Sequence, residues 1–175
     1  MKLVIAYTVF QSPIGPLTLA STTNGLCRVE FGSGQLVQSS LTRWAKKWIL
    51  TDKLSYEPNL FTDIVQQLEE YFSGQRKSFS IPLDLFGTSF QKMVWNELLK
   101  IPYGETRSYK DIALGLNAAK AVRAVGCANN QNPLSIFIPC HRVIGSNGAL
   151  VGYGGGLELK EYLLQLEGAL EKAGA

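Results

Sequence analysis

The 175 residues suffice for one large domain or two small ones with real cores. With 46% hydrophobic and 18% charged residues, the composition excludes a disordered chain, and no stretch approaches the length of a membrane span. The net charge of +3 does not by itself mark a nucleic-acid binder. Its distribution says more: residues 1–85 carry eight basic and seven acidic side chains, whereas residues 86–150 carry seven and three. An anionic partner is therefore to be sought in the middle of the chain.

Residues 3–10 and 17–20 read as strands joined by the turn Ser12-Pro13-Ile14-Gly15, and residues 25–31 as a third strand after Asn24-Gly25. Leu36, Val37, Leu41, Trp44, Ala45 and Trp48 give residues 34–49 a helical spacing. A stronger stripe, Phe61, Ile64, Val65, Leu68, Tyr71 and Phe72, marks a helix over 59–72 that stops at Gly74. Residues 75–87, with Pro82, read as a connector, and the domain boundary is placed there, giving domains 1–85 and 86–175.

The second half changes character. A helix is expected over 89–100, with Phe90, Met93, Val94, Glu97 and Leu98 in register. Ser108 and Asp111 form a capping signal for a helix beginning at Tyr109, residues 115–118 supply a break, and residues 119–129 make a second helix of small residues. Two short helices around a tight break signal a helix-turn-helix. The string LSIFIP after Pro133 reads as a short buried extended segment leading to Cys140, and residues 157–168 as a final helix. The fold class is α+β: an N-terminal α/β domain with an antiparallel sheet, then a mainly helical domain.

Cys27, Cys127 and Cys140 are odd in number and irregularly spaced, which fits a reducing compartment rather than a disulfide framework. Pro13 and Gly15 interrupt the apolar N-terminus early, so no secretory leader is read there, and a cytoplasmic protein is expected, nuclear if the source is eukaryotic. Pro139-Cys140-His141-Arg142-Val143 is the most informative string. A thiol becomes a nucleophile when a base or positive charge populates its thiolate, and His141 is the only histidine in the chain. Neighbours on an extended segment face opposite ways, so a water between Cys140 and His141 would be needed. A buried core thiol would give the same tripeptide.

The wider pattern adds to this. IPYGETRSYKDIA, KAVRAVGCANNQNP, IPCHRVIGSNG, GYGGG and LLQLEG, in this order, resemble the O6-alkylguanine-DNA alkyltransferase family, also called methylated-DNA–protein-cysteine methyltransferases. The resemblance is dense over residues 89–168 and loose before that, where the SPIG hairpin carries it.

The resemblance implies that Cys140 attacks the alkyl carbon on guanine O6, that His141 takes the thiol proton through a water, and that Glu167 holds the imidazole. Asn132 would hold the active-site turn together. Tyr109 would crowd the DNA backbone at the flipped nucleotide and assist the leaving guanine. Arg123 would fill the gap left by the flipped base, while Ala121, Ala124 and Gly126 would let its helix approach the groove. The family uses the minor groove with little sequence preference, so phosphate contacts would carry binding, with Lys110, Lys120 and Arg142 as candidates by charge and position. The loop 148–156 would line the base pocket through Val151, Tyr153 and Gly154. Many relatives carry serine at the position of Gly154, so a wider range of alkyl groups is expected here.

No cofactor is implied. Residues 1–85 hold one cysteine and no histidine, so the structural zinc of some relatives is not expected. Cys127 has no assigned role. The implied partner is duplex DNA bearing O6-alkylguanine, met by a monomer. Non-enzymatic alkyltransferase-like lesion binders share the fold but lack the cysteine. A helix-turn-helix regulator would not need Cys140, His141 and Glu167 together, and a turnover cysteine hydrolase would need an oxyanion site that nothing here supplies.

Overall fold

A computed structural model describes residues 3–171. The chain divides into two compact units between Phe86 and Gly87. None of the helices among the described residues is long and apolar enough to cross a membrane.

The N-terminal unit is built on β1 (Ile5–Ser12), β2 (Gly15–Ser21), β3 (Leu26–Phe31) and β4 (Leu54–Tyr56), in the sheet order β3-β2-β1-β4. The first two form a hairpin turning at Ser12–Gly15, where Gly15 takes φ 97°, a value glycine reaches without steric cost. β3 continues the meander antiparallel to β2, and β4 pairs parallel to β1. Between β3 and β4 runs helix α1 (Gln35–Trp48), whose Leu41 and Ala45 pack with Ile5, Ala20 and Cys27. Helix α2 (Thr62–Phe72) follows a short 3₁₀ turn at Pro58–Phe61, and its Phe72 stacks on Phe10 of β1.

The three expected strands and two helices are present, and β4 is an addition: three residues are too few to show a period. Leu36 of the expected α1 stripe is 86% exposed, so the buried face of that helix is narrower than its sequence suggests. The connector is also more ordered than a linker. Leu26 donates its N–H to the Pro82 carbonyl (2.9 Å) and accepts from the Asp84 N–H (2.8 Å), which covers the outer edge of β3.

The C-terminal unit holds helix α3 (Ser89–Leu98), strand β5 (Arg107–Ser108), helices α4 (Tyr109–Gly115) and α5 (Val122–Asn130), strand β6 (Val143–Ile144) and helix α6 (Leu157–Leu166). Thr88 and Gln91 close a reciprocal capping box on α3, and Ser108 and Asp111 do the same on α4. The buried stripe of α3 is Val94, Trp95 and Leu98, whereas Met93, expected in register, is exposed. Trp95 donates its indole N–H to the Ala128 carbonyl at 2.9 Å, fastening α3 to α5. α4 and α5 form the helix-turn-helix, with α5 beginning at Val122 rather than at residue 119. β5 and β6 pair in parallel, which brings the start of α4 beside the segment that follows Cys140.

Candidate active site

The LSIFIP string is buried but not extended. It folds into a tight turn, closed by a Ser135–Ile138 bridge and by the Ile138 N–H donating to the Leu134 carbonyl (2.9 Å). Ile136 takes φ 79° there, an unfavourable value for a β-branched residue. Asn132 holds the turn from both ends: Nδ2 donates to the Ile138 carbonyl (2.8 Å) and Oδ1 accepts the Leu134 N–H (3.0 Å). Cys140, His141 and Arg142 then form one 3₁₀ turn, and all three are buried. The alternation argued from an extended strand does not apply to them.

Burial raises the pKa of the Cys140 thiol, opposed by hydrogen bonds from Asn132 and Ser135 and by the positive charge of Lys160. The resting sulfur is therefore a thiol, and a base is needed to make it a nucleophile. His141 has no solvent exposure, and desolvation lowers its pKa despite the opposing effect of Glu167, so the imidazole is neutral at pH 7. Its Nε2 lies 2.8 Å from Oε1 of Glu167. The Glu167 carboxyl is pulled down to about 2 by hydrogen bonds from His141 and Arg142, against the upward push of burial. A carboxylate only accepts, so Nε2 carries the ring proton and Nδ1 the lone pair. Nδ1 has no hydrogen-bond partner among the described residues.

Arg142 does not face a phosphate. It is 8% exposed; Nε and Nη2 each meet a Glu167 oxygen at 2.8 Å, and Nη1 donates to the Ile101 carbonyl at 2.7 Å. The fork occupies both carboxylate oxygens and leaves the charge of Arg142 fully paired. Glu167 at the end of α6 is thus neither solvated nor free; it joins α6 to the Cys140 turn.

Tyr109, the first residue of α4, donates its hydroxyl to the Val151 carbonyl (2.9 Å). Burial and the neighbouring Cys140 raise its pKa, which keeps the hydroxyl a donor. Gly126 does not lie on the outer face of α5: it is half-buried, and a Cβ there would meet the Tyr109 ring at 3.8 Å. Ala121 is also half-buried and precedes the helix as its N-cap, while Arg123, Ala124 and Cys127 are exposed on α5. Lys110 and Lys120 are exposed.

In the loop 145–156, Val151 and Gly154 are exposed and Tyr153 is half-buried. The Tyr153 hydroxyl is pushed well up in pKa by burial and by Cys140, with Ser135 opposing, so it stands near the sulfur. A Cβ on Gly154 would meet nothing within 4 Å.

Two residues that the sequence reading missed belong to this cluster. Ser135 touches the thiol from inside the turn. Lys160 on α6 is fully buried, and its ammonium donates to the carbonyls of Val143, Val151 (2.9 Å) and Gly152 (3.3 Å). A signal for it exists: Lys160, Leu163, Leu164 and Glu167 fall at i, i+3, i+4 and i+7, so this lysine lies in the apolar stripe of its helix.

A buried thiol with an oriented neutral imidazole, carried beside a helix-turn-helix, defines a nucleic-acid-binding protein with a nucleophile built in. Residues 89–169 match the 6-O-methylguanine DNA methyltransferase DNA-binding domain and residues 5–85 the ribonuclease-like domain of the same proteins. The chain belongs to the 6-O-methylguanine DNA methyltransferase family. It is 49% identical to the methylated-DNA–protein-cysteine methyltransferase of Methanosarcina acetivorans over 93% of this chain and 98% of that one. Identity to the Mycobacterium tuberculosis enzyme of the same name is 47%, over 94% and 93%. The M. tuberculosis OGT solved in complex with DNA superposes with a TM-score of 0.80 at 45% identity, covering 95% of this chain and 94% of that one.

Proposed function

We propose that this chain is a DNA repair protein that transfers the alkyl group of O6-alkylguanine to Cys140, once per molecule. The observation that carries the reading is the buried His141–Glu167 pair beside Cys140. It supplies a base whose lone pair is fixed on Nδ1, next to a thiol that needs one. Family membership supplies the substrate.

The target guanine leaves the duplex and enters the site under the loop 145–156, lined by Val151, Tyr153 and Gly154. Arg123, exposed on α5, takes the vacated space in the stack, which offsets part of the few kcal/mol that extrusion costs. His141 accepts the Cys140 proton through a water at Nδ1. The sulfur attacks the alkyl carbon, a C–S bond forms as the C–O bond breaks, and the electron pair passes to the guanine. Tyr109 is the donor that assists its departure, its hydroxyl turning from the Val151 carbonyl to the base. Asn132 keeps the turn in shape throughout. The thioether product has no hydrolytic exit, so Cys140 is consumed. Residues 86–175 form the DNA-binding and acceptor domain and residues 1–85 the accompanying domain. A monomer binds the minor groove with little sequence preference, through phosphate contacts to which Lys110 and Lys120 contribute. Three unpaired cysteines fit a reducing, cytoplasmic setting.

The test is intact-mass spectrometry after incubation with an O6-methylguanine duplex. The wild type gains one methyl and Cys140→Ser gains none. An unchanged wild-type mass alongside tight binding would make the protein a lesion binder instead.

A further inference from the structure

The loop 145–156 must hold its shape over Cys140 if it is to grip a base. Within itself it has few bonds: the Gly145 N–H donates to the Ala149 carbonyl (2.8 Å), the Gly148 N–H to the Gly145 carbonyl (2.9 Å), the Ala149 N–H to Asn147 Oδ1 (3.1 Å) and the Gly156 N–H to the Tyr153 carbonyl (3.0 Å). The stretch from Leu150 to Gly152 is fastened from outside. Lys160 reaches the Val151 and Gly152 carbonyls with the same ammonium that reaches the Val143 carbonyl, three residues after the sulfur. An ammonium has three donors, and here three carbonyls on two segments take one each. Tyr109 reaches the Val151 carbonyl from the opposite element. A lysine with no exposure is costly to keep charged, so a surrounding that offers it only carbonyls is arranged around the charge.

We propose that Lys160 is a positioning residue that fastens the base-pocket loop to the Cys140–Val143 segment. This rests on the functional reading above, because the loop has a base to grip only in that reaction. It predicts a dependence on charge. Burial brings the Lys160 pKa down to about 8, with the neighbouring Cys140 opposing that shift, and His141 is the other titratable group that feels it. Above that pH a neutral amine has two donors for three carbonyls, and the loop loosens.

Three measurements on the full chain test the proposal, each made on wild type and on Lys160→Met, which keeps an apolar stem and removes the donors. Amide hydrogen exchange of Gly145, Gly148, Ala149 and Gly156, the loop residues whose N–H groups donate, reads the loop, methyl transfer from a lesion duplex reads the reaction, and alkylation by iodoacetamide reads the thiol alone. The expected result is exchange faster by at least about tenfold in the variant, as loss of two charge-assisted bonds implies. Methyl transfer slows by more than iodoacetamide alkylation does. Wild-type exchange, corrected for its intrinsic pH dependence, rises in the same way between pH 7 and 9.5, which gives an answer even if the variant does not fold. Unchanged loop exchange, with both reactions slowed equally, would overturn the proposal and leave Lys160 acting on the sulfur's charge alone. A wild type that fails to take a methyl would sink the functional reading but not the exchange result.

Discussion

His141 and Glu167 meet at 2.8 Å with no solvent on either side chain, and both link the stability of the fold to pH. Both have depressed pKa values in the fold. For each, the unfolded chain binds the proton more readily, so stability falls as pH falls. The loss begins below about 6.5, the ordinary value for His141, and continues below 4.5 until Glu167 protonates at about 2. Urea denaturation at a series of pH values should show that slope. Glu167→Gln leaves Arg142 buried without a counter-charge and should cost about 3–5 kcal/mol at pH 7. It should also flatten the slope below pH 4.5. A neutral effect at pH 7 would mean that the Arg142 fork contributes nothing.

Asn132→Ala removes both ends of the staple on the 134–138 turn. The Leu134 N–H loses its partner, at about 1–3 kcal/mol for a polar group left buried and unpaired, while the Ile138 carbonyl keeps the Cys140 N–H (2.8 Å). The thiol also loses a hydrogen bond that favours its anion. Iodoacetamide alkylation of Cys140 at neutral pH should therefore slow. Equal alkylation rates in a folded variant would show that Asn132 acts on the backbone only.

Arg123 is exposed, and among the described residues no hydrogen bond or ion pair ties it to the fold. Arg123→Ala should change stability by no more than about 0.5 kcal/mol. Methyl transfer from duplex DNA should drop by about tenfold or more, the factor that corresponds to about 1.4 kcal/mol of lost base-flipping assistance. Reaction with the free base O6-benzylguanine, which needs no extrusion, should be unaffected. A parallel loss in both assays would place Arg123 in the chemistry instead.

Gly154 is outside the positive-φ region and has open space where a Cβ would go. Gly154→Ser should fold normally, within about 0.5 kcal/mol of wild type, and put a hydroxyl on the pocket wall. Transfer from benzylated relative to methylated guanine should fall several-fold against wild type. An unchanged ratio would remove this position from the determinants of lesion size.

Much of the fold was legible because it repeats. The hairpin and α2 have clear periods and turn residues, and the Thr88 and Ser108 helices carry their own caps. The site was legible in its reacting groups but not in their surroundings. Cys140 and His141 stand out in the motif and Glu167 enters only through the family resemblance, yet the turn at Ile136 violates the local preference of a β-branched residue and is imposed by Asn132 from outside. Arg142 was misassigned because its charge suggested a surface, and the carboxylate that neutralises it lies 25 residues away. β4 was missed because three residues show no alternation. Lys160 was overlooked although it lies in an apolar stripe, since a lysine there is ordinarily read as solvated.

Helix α6 supplies Lys160 and, at its end, Glu167. The loop fastening and the imidazole orientation therefore both come from residues translated after the thiol. A nascent chain that has reached Cys140 has no carboxylate to set the tautomer of His141 and no ammonium beside the sulfur. The oriented base beside Cys140 is assembled only when residue 167 has been made and packed, so the site is completed last, from the C-terminal side.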